Sequence, residues 1–232
     1  MVLENKCDKS HAMKNLYLLT FLLLGSLAFG CNNYDVNEKD EEGRPLDRAV
    51  KAENVGKYEM EKGQINYEYA TGPMSGTQVM KWQNYGEEEL RIMEMGIPGD
   101  TLTRNLLVMD GYAWSWAEGQ SEGVKMRLPL DQDINFRNLP DSVKQQLNIR
   151  ETGTETILGK NCTVYSMNFN GGQMAGTVSV WNGIPLKMEM GNKEGKITLL
   201  ATSIDEHPVL PAGEFEIPND VTFHETPGTD AK

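Results

Sequence analysis

Few residues of this chain have the types and spacing for chemistry. The sequence holds three histidines, His11, His207 and His224, and three cysteines, Cys7, Cys31 and Cys162. Asp205-Glu206-His207 could touch a metal ion, but a site needs a second, spaced set of ligands, and the sequence offers none. Solvation of a strand end is the simpler reading. A nucleophilic Cys162 needs a histidine to activate it, and no partner is evident. Beside Val164 and Tyr165 it reads as a small, buried, inert hydrophobe. Asn161-Cys162-Thr163 matches a glycosylation sequon only formally. Glu87-Glu88-Glu89 and Glu214 with Glu216 could pose as paired carboxylates, yet surface charge accounts for them. There is no phosphate-cradling glycine loop and no GxSxG elbow. The sequence therefore assigns no catalytic residue, no metal and no cofactor, and the expected class is non-enzymatic.

Cys31 is different because of where it sits. Leu16 to Gly30 is a mostly apolar run, and the chain turns polar immediately after Cys31. As a helix the fifteen residues Leu16–Gly30 would span roughly 22 Å, short of the roughly 30 Å of a bilayer core. This is the length of a signal-peptide core. Leu27-Ala28-Phe29-Gly30-Cys31 resembles the lipobox of bacterial lipoproteins, in which a small residue precedes a cysteine that is acylated and becomes the new N-terminus. Residues 1–12 carry mixed charge, whereas Met13-Lys14-Asn15 makes a good positive start, so Met13 is the expected initiator. Residues 1–30 are thus an expected signal peptide, and 31–43 a lipidated cysteine followed by a flexible tether with acidic Asp40-Glu41-Glu42. Asn32 is not the aspartate that retains some lipoproteins at the inner membrane, so the expected place is the cell envelope at the outer membrane.

Removing residues 1–30 leaves 202 residues, enough for one domain with a sizeable core. Residues 44–225 are the expected domain, and 226–232 an expected disordered tail. The net charge is −12, from 34 acidic and 22 basic residues. This argues against nucleic acid, which needs a cationic surface, and against electrostatic adhesion to anionic lipid. The membrane partner would be engaged through the acyl chains on Cys31. With one thiol left in the domain, no internal disulfide can form, and the core must be hydrophobic.

The elements follow from periodicity. Pro45–Asn54 reads as a short helix stopped by Gly56. Ile65, Tyr67 and Tyr69 alternate with polar residues, as a half-buried strand does. Further strands are predicted over Thr77–Trp82, Leu90–Met95, Asn105–Trp116, Thr156–Cys162 leading into Thr163–Asn168, Gly176–Trp181, Ile184–Met190 and Ile197–Ile204. Asp110-Gly111 and Asn182-Gly183 are two-residue hairpin signals, since both positions of such turns take positive φ. Leu139–Ile149 interrupts the strands as a short helix begun by Pro140-Asp141, with Val143 and Leu147 on its inner face. The predicted class is mostly β (α+β), a mainly antiparallel sheet.

The second half resembles the outer-membrane lipoprotein carrier superfamily and related domains of unknown function. The carrying residues are Gly159-x-x-Cys162-x-x-Tyr165, Val178-x-Val180-Trp181, Gly183-Ile184-Pro185-Leu186-Lys187 and Phe215-x-Ile217-Pro218-x-Asp220. The resemblance implies a strongly curved antiparallel sheet, an incomplete β-barrel with one or two short helices in its concavity. It also implies that relatives bind acyl chains or other lipid there. No residue-level binding motif carries over, and a lipid anchor departs from a soluble carrier, because a tethered protein cannot cross the periplasm freely. Aromatic and methionine side chains of the predicted strands suit either a filled core or the wall of such a cavity: Trp82, Met93, Trp114, Trp116, Tyr165, Met167 and Met188. Two expectations stand. One is a tethered domain that binds a lipid or other apolar ligand. The other is a module that binds another envelope protein and no small molecule.

Overall fold

The computed structural model describes residues 56–71, 74–97, 100–128, 133–169, 173–191 and 195–226. The expected signal peptide, the tether and the Pro45–Asn54 helix lie outside these residues. So does the expected tail beyond Thr226, whose own amide donates to the Lys125 carbonyl at 3.0 Å.

Among the described residues, twelve strands form one sheet. They are β1 Gly63–Thr71, β2 Met74–Gln83, β3 Glu88–Ile97, β4 Asp100–Met109, β5 Tyr112–Ala117, β6 Glu122–Arg127, β7 Arg150–Ile157, β8 Lys160–Phe169, β9 Met174–Trp181, β10 Ile184–Gly191, β11 Lys196–Asp205 and β12 Thr222–Glu225. The spatial order is β12-β6-β5-β4-β3-β2-β1-β11-β10-β9-β8-β7. Neighbours are antiparallel except β12, which runs parallel to β6. β12 and β7 are the two ends of the order, so the sheet is open. Its one α-helix among the described residues is α1, Asp141–Gln146.

The turns obey local backbone chemistry. Asp110 and Gly111 take φ of 53° and 74°, and Asn182 and Gly183 take 53° and 88°, as the hairpin signals predict. A third such turn, between β7 and β8, falls inside the predicted Thr156–Cys162 run. Leu158 and Gly159 occupy it with φ of 51° and 74°. A leucine in left-handed backbone carries no turn signal, which is why periodicity alone ran through it. β12 also escaped the periodicity, because four residues are too few to show one. At the outer end of the sheet, β7 is bulged between Glu151 and Gly153 and carries charged and threonine side chains, which discourages edge-to-edge pairing.

A short segment before β1, residues 56–62, curls the sheet. The Tyr58 amide donates to the Tyr85 carbonyl, beyond the end of β2, and the next amide, Glu59, donates to Asn182 in the β9–β10 turn. In a flat sheet β2 and β9 would stand about 19 Å apart, four spacings of roughly 4.8 Å. Consecutive amides can bond both only if the sheet bends toward the face that this strap crosses. That face is therefore the concave one. Gly63 seats the Trp82 ring and Gly183 the Lys57 carbonyl, because a Cβ at either would lie 2.1 Å and 2.3 Å from those atoms.

Two irregular segments cover opposite sides. Residues 134–149 lie over β8–β10 on the concave face, where Ile134, Leu147 and Ile149 pack with Met167, Val178 and Val180. This matches the expected helix in the concavity, with Val143 and Leu147 turned inward. Residues 208–221 cover the convex face of β3–β5, where Phe215 and Leu210 pack on Leu90, Leu107 and Trp114.

Candidate functional site

The concave face is defined residue by residue from the strand register. Tyr165, Val178, Met188, Leu199, Tyr69, Gly76, Met95 and Leu102 fall in one rung that crosses β8, β9, β10, β11, β1, β2, β3 and β4. No charged side chain interrupts it. The methionines single out the same face. Met80, Met93, Met95, Met167, Met188 and Met190 all project there, and Met74, Met126 and Met174 share the phase. Met109 is the exception among strand methionines, paired with Tyr112 on the convex side.

The structure divides the seven expected lining residues between the two faces. Trp82, Met93, Tyr165, Met167 and Met188 are concave. Trp114 and Trp116 are convex, in phase with Leu107 and Asn105. Trp82 is wholly buried, donates from Nε1 to the Met60 carbonyl at 3.1 Å and meets Tyr58 edge to face. Tyr165 stacks near Phe136, with ring centroids 5.3 Å apart, under the α1 segment. Met188 bridges the two concave apolar clusters. Met93 is half-buried and belongs to neither cluster. Trp116 packs edge to face on Phe223, and the Lys125 ammonium lies over the rings of Tyr112 and Trp114.

Polar groups are set into the concave face where β2, β3 and β4 meet the strap. Glu89 is fully buried, which corrects its reading as surface charge. Its carboxylate accepts from Lys57 Nζ at 2.5 Å, Tyr58 Oη at 2.7 Å and Arg91 Nη2 at 2.7 Å. Burial alone would raise its pKa, but Lys57, then Arg91, outweigh burial and lower it to about 2. Burial pushes the Tyr58 phenol far up, so it stays a donor. The missed signal was phase: 89, 91, 93 and 95 alternate together, so Glu89 and Arg91 had to share a face with Met93 and Met95. Farther along, Arg104 Nε donates to Ser115 Oγ at 2.8 Å, and burial lowers the Arg104 pKa. Glu214 is likewise no free surface carboxylate, since it pairs with Lys81 at 2.5 Å on the convex face.

Among the described residues, no group of three or more His, Cys, Asp or Glu side chains could hold a metal ion. Burial pushes the Cys162 thiol up, away from the thiolate a nucleophile needs. Lys160 pairs with Glu206 at 2.5 Å, and the His207 amide donates to Asp205 Oδ1, so the 205–207 cluster ties off the end of β11.

No family model matches this chain, and no curated protein does. Solved structures similar to it include an uncharacterized conserved protein from Thermus thermophilus, at 12% identity and TM-score 0.47, covering 71% of this chain and 90% of that one. Another is the MucA/MucB complex of Pseudomonas aeruginosa, at 13% identity and TM-score 0.45 over 69% of this chain. This chain spans 57% of the length of the chain it matches in that complex. A LolA superfamily protein from Nitrosomonas europaea is similar at 11% identity and TM-score 0.34, over 69% of this chain and 92% of that one.

Proposed function

We propose that this chain is a non-enzymatic, lipid-anchored domain of the cell envelope, held at the outer membrane through Cys31, that binds a lipid or other flexible apolar molecule along the concave face of its open sheet. One observation carries the reading. Of ten methionines in strands among the described residues, only Met109 faces the convex side. An ordinary core has no need to gather its methionines on one face. Unbranched, polarizable side chains that change rotamer cheaply suit a surface that must fit a flexible apolar chain in several poses. The apolar rung from Tyr165 to Leu102 crosses eight strands, so it runs about 34 Å at the usual strand spacing. That exceeds the thickness of one leaflet of a bilayer core, about 15 Å. The α1 segment covers the β8–β10 part of the rung, and at the other end Met93 is half-buried and lies outside the apolar clusters, while Met95 is buried.

Native mass spectrometry of residues 32–232, purified without detergent, tests this. A bound mass in the lipid range, lost on organic extraction, is expected. A clean mass that stays clean after incubation with envelope lipid would overturn the ligand reading and direct the search to a protein partner.

A further inference from the structure

We propose that the strap end of the sheet is a membrane-contact face, with Leu158 and Tyr85 entering the headgroup region of the bilayer that holds Cys31. The proposal rests on the anchored reading above.

The register brings the β2–β3, β4–β5, β7–β8 and β9–β10 turns to one end of the sheet, and the strap crosses that same end. Six non-glycine residues among the described ones have positive φ, and five of them are here: Asn84, Tyr85, Asp110, Leu158 and Asn182. Asn and Asp tolerate this backbone because a short polar side chain can bond locally. Tyr and Leu have no such compensation. Yet Tyr85 is 46% exposed and Leu158 45% exposed, and neither joins an apolar cluster. Leu158 packs in no apolar cluster of the domain, and Tyr85, whose backbone N–H and carbonyl bond the strap and whose Cβ lies against Gly56, still leaves nearly half its surface in water outside the domain. A contact outside it supplies what is missing.

The chain's path selects a lipid surface as that contact. Twenty-four residues, 32–55, separate Cys31 from Gly56, and the chain enters the fold at the strap. The anchor therefore delivers this end of the domain to the bilayer rather than the opposite one. Once tethered, insertion of two side chains is intramolecular, so a partition too weak to bind a free protein becomes populated. Tyrosine suits the interface, and leucine the acyl boundary just beneath. Exposed acids at this end, Glu59, Glu61, Glu87, Asp110 and Asp205, outnumber the exposed cations Lys62, Arg127 and Arg137, so the surface that fits is zwitterionic, and anionic lipid opposes the contact.

The test uses the full acylated chain in phosphatidylcholine vesicles that carry a lipid-borne quencher. One fluorophore is placed at Asn161→Cys, beside the Leu158 turn, and a second, in a separate sample, at Gln120→Cys in the β5–β6 turn at the far end. Cys31 is acylated and Cys162 buried, so the added thiol is the one that labels. Stronger quenching at 161 than at 120 is expected. Leu158→Asn and Tyr85→Asn, which relieve the backbone and so do not threaten folding, are expected to abolish the excess. Equal quenching at both positions on vesicles that carry the protein overturns this inference and leaves the anchor intact. A chain that does not float with vesicles overturns both. Excess quenching that appears only when envelope protein is added assigns the face to a protein and also overturns it.

Discussion

The phenol of Tyr58 donates to the buried carboxylate of Glu89 at 2.7 Å, while the Tyr58 ring rests edge to face on Trp82. One residue of the strap thereby joins a charged cluster and an apolar one. The Arg137 guanidinium closes the arrangement from the other side, donating to the carbonyls of Gly56 and Tyr58. Curvature in this sheet is held at that junction, and curvature gives the methionine face its concavity.

The Glu89 cluster sets an acid limit on stability. The carboxyl titrates at about 2 in the fold, against an ordinary 4.5, a difference worth about 3 kcal/mol. A lowered folded-state value means the contribution is complete above the ordinary carboxyl range and is lost as pH falls through the folded value. The window is therefore about pH 4.5 down to 2, with about 2 kcal/mol gone by pH 3. Glu89→Gln is expected to lower the urea midpoint at pH 7, because Lys57 and Arg91 lose their counter-charge. It should also flatten the acid limb. A wild-type limb retained by the variant would show that other carboxylates set it.

The strap seat makes a sharper steric prediction. At Gly183 φ is +88°, and an added Cβ would stand 2.3 Å from the Lys57 carbonyl, which is backbone and cannot swing aside. Gly183→Ala is expected to cost about 2–3 kcal/mol through strain and overpacking together. Gly119→Ala, also at positive φ but in open space, carries only the backbone cost of about 1 kcal/mol. Equal denaturation midpoints for the two would mean that the strap yields rather than clamps.

Much of this was legible in the sequence. Asp110-Gly111 and Asn182-Gly183 placed two hairpins because positive φ at both positions selects those residue types. Alternation placed β1, β2 and β3 and put Trp114 and Trp116 on one side of β5. What could not be read was which side of the sheet each strand face would join. Trp82 and Trp114 belong to strands three apart in order, and only the pairing Trp82–Glu89–Val108–Ala113 reveals that Trp114 turns the other way. Glu89 was misread for a related reason. A carboxylate in a run of three looks solvated until the strap, from thirty residues upstream, brings Lys57 and Tyr58 over it.

The anchor is tested at one atom. Cys31→Ser removes the thiol that would carry the acyl chains and leaves the domain untouched. The variant is expected in the soluble fraction after cell lysis, with the parent in the membrane fraction. A serine variant that still sediments with membranes would reject the lipid anchor.

Face specificity gives the ligand reading its decisive control. Met93 lies on the concave side and outside the apolar clusters, so Met93→Lys adds a charge to the binding face at small cost to folding. Leu200 lies on the convex side, 41% exposed, beside Glu68 and Lys187 in register. Leu200→Lys therefore adds the same charge where no ligand is expected. Burying a lysine against an apolar chain costs several kcal/mol unless the charge is paired, enough to empty the site. Met93→Lys should lose the bound lipid mass and Leu200→Lys should keep it, at matched thermal midpoints. Loss in both variants, or in neither, would mean that the methionine face is not where the molecule sits.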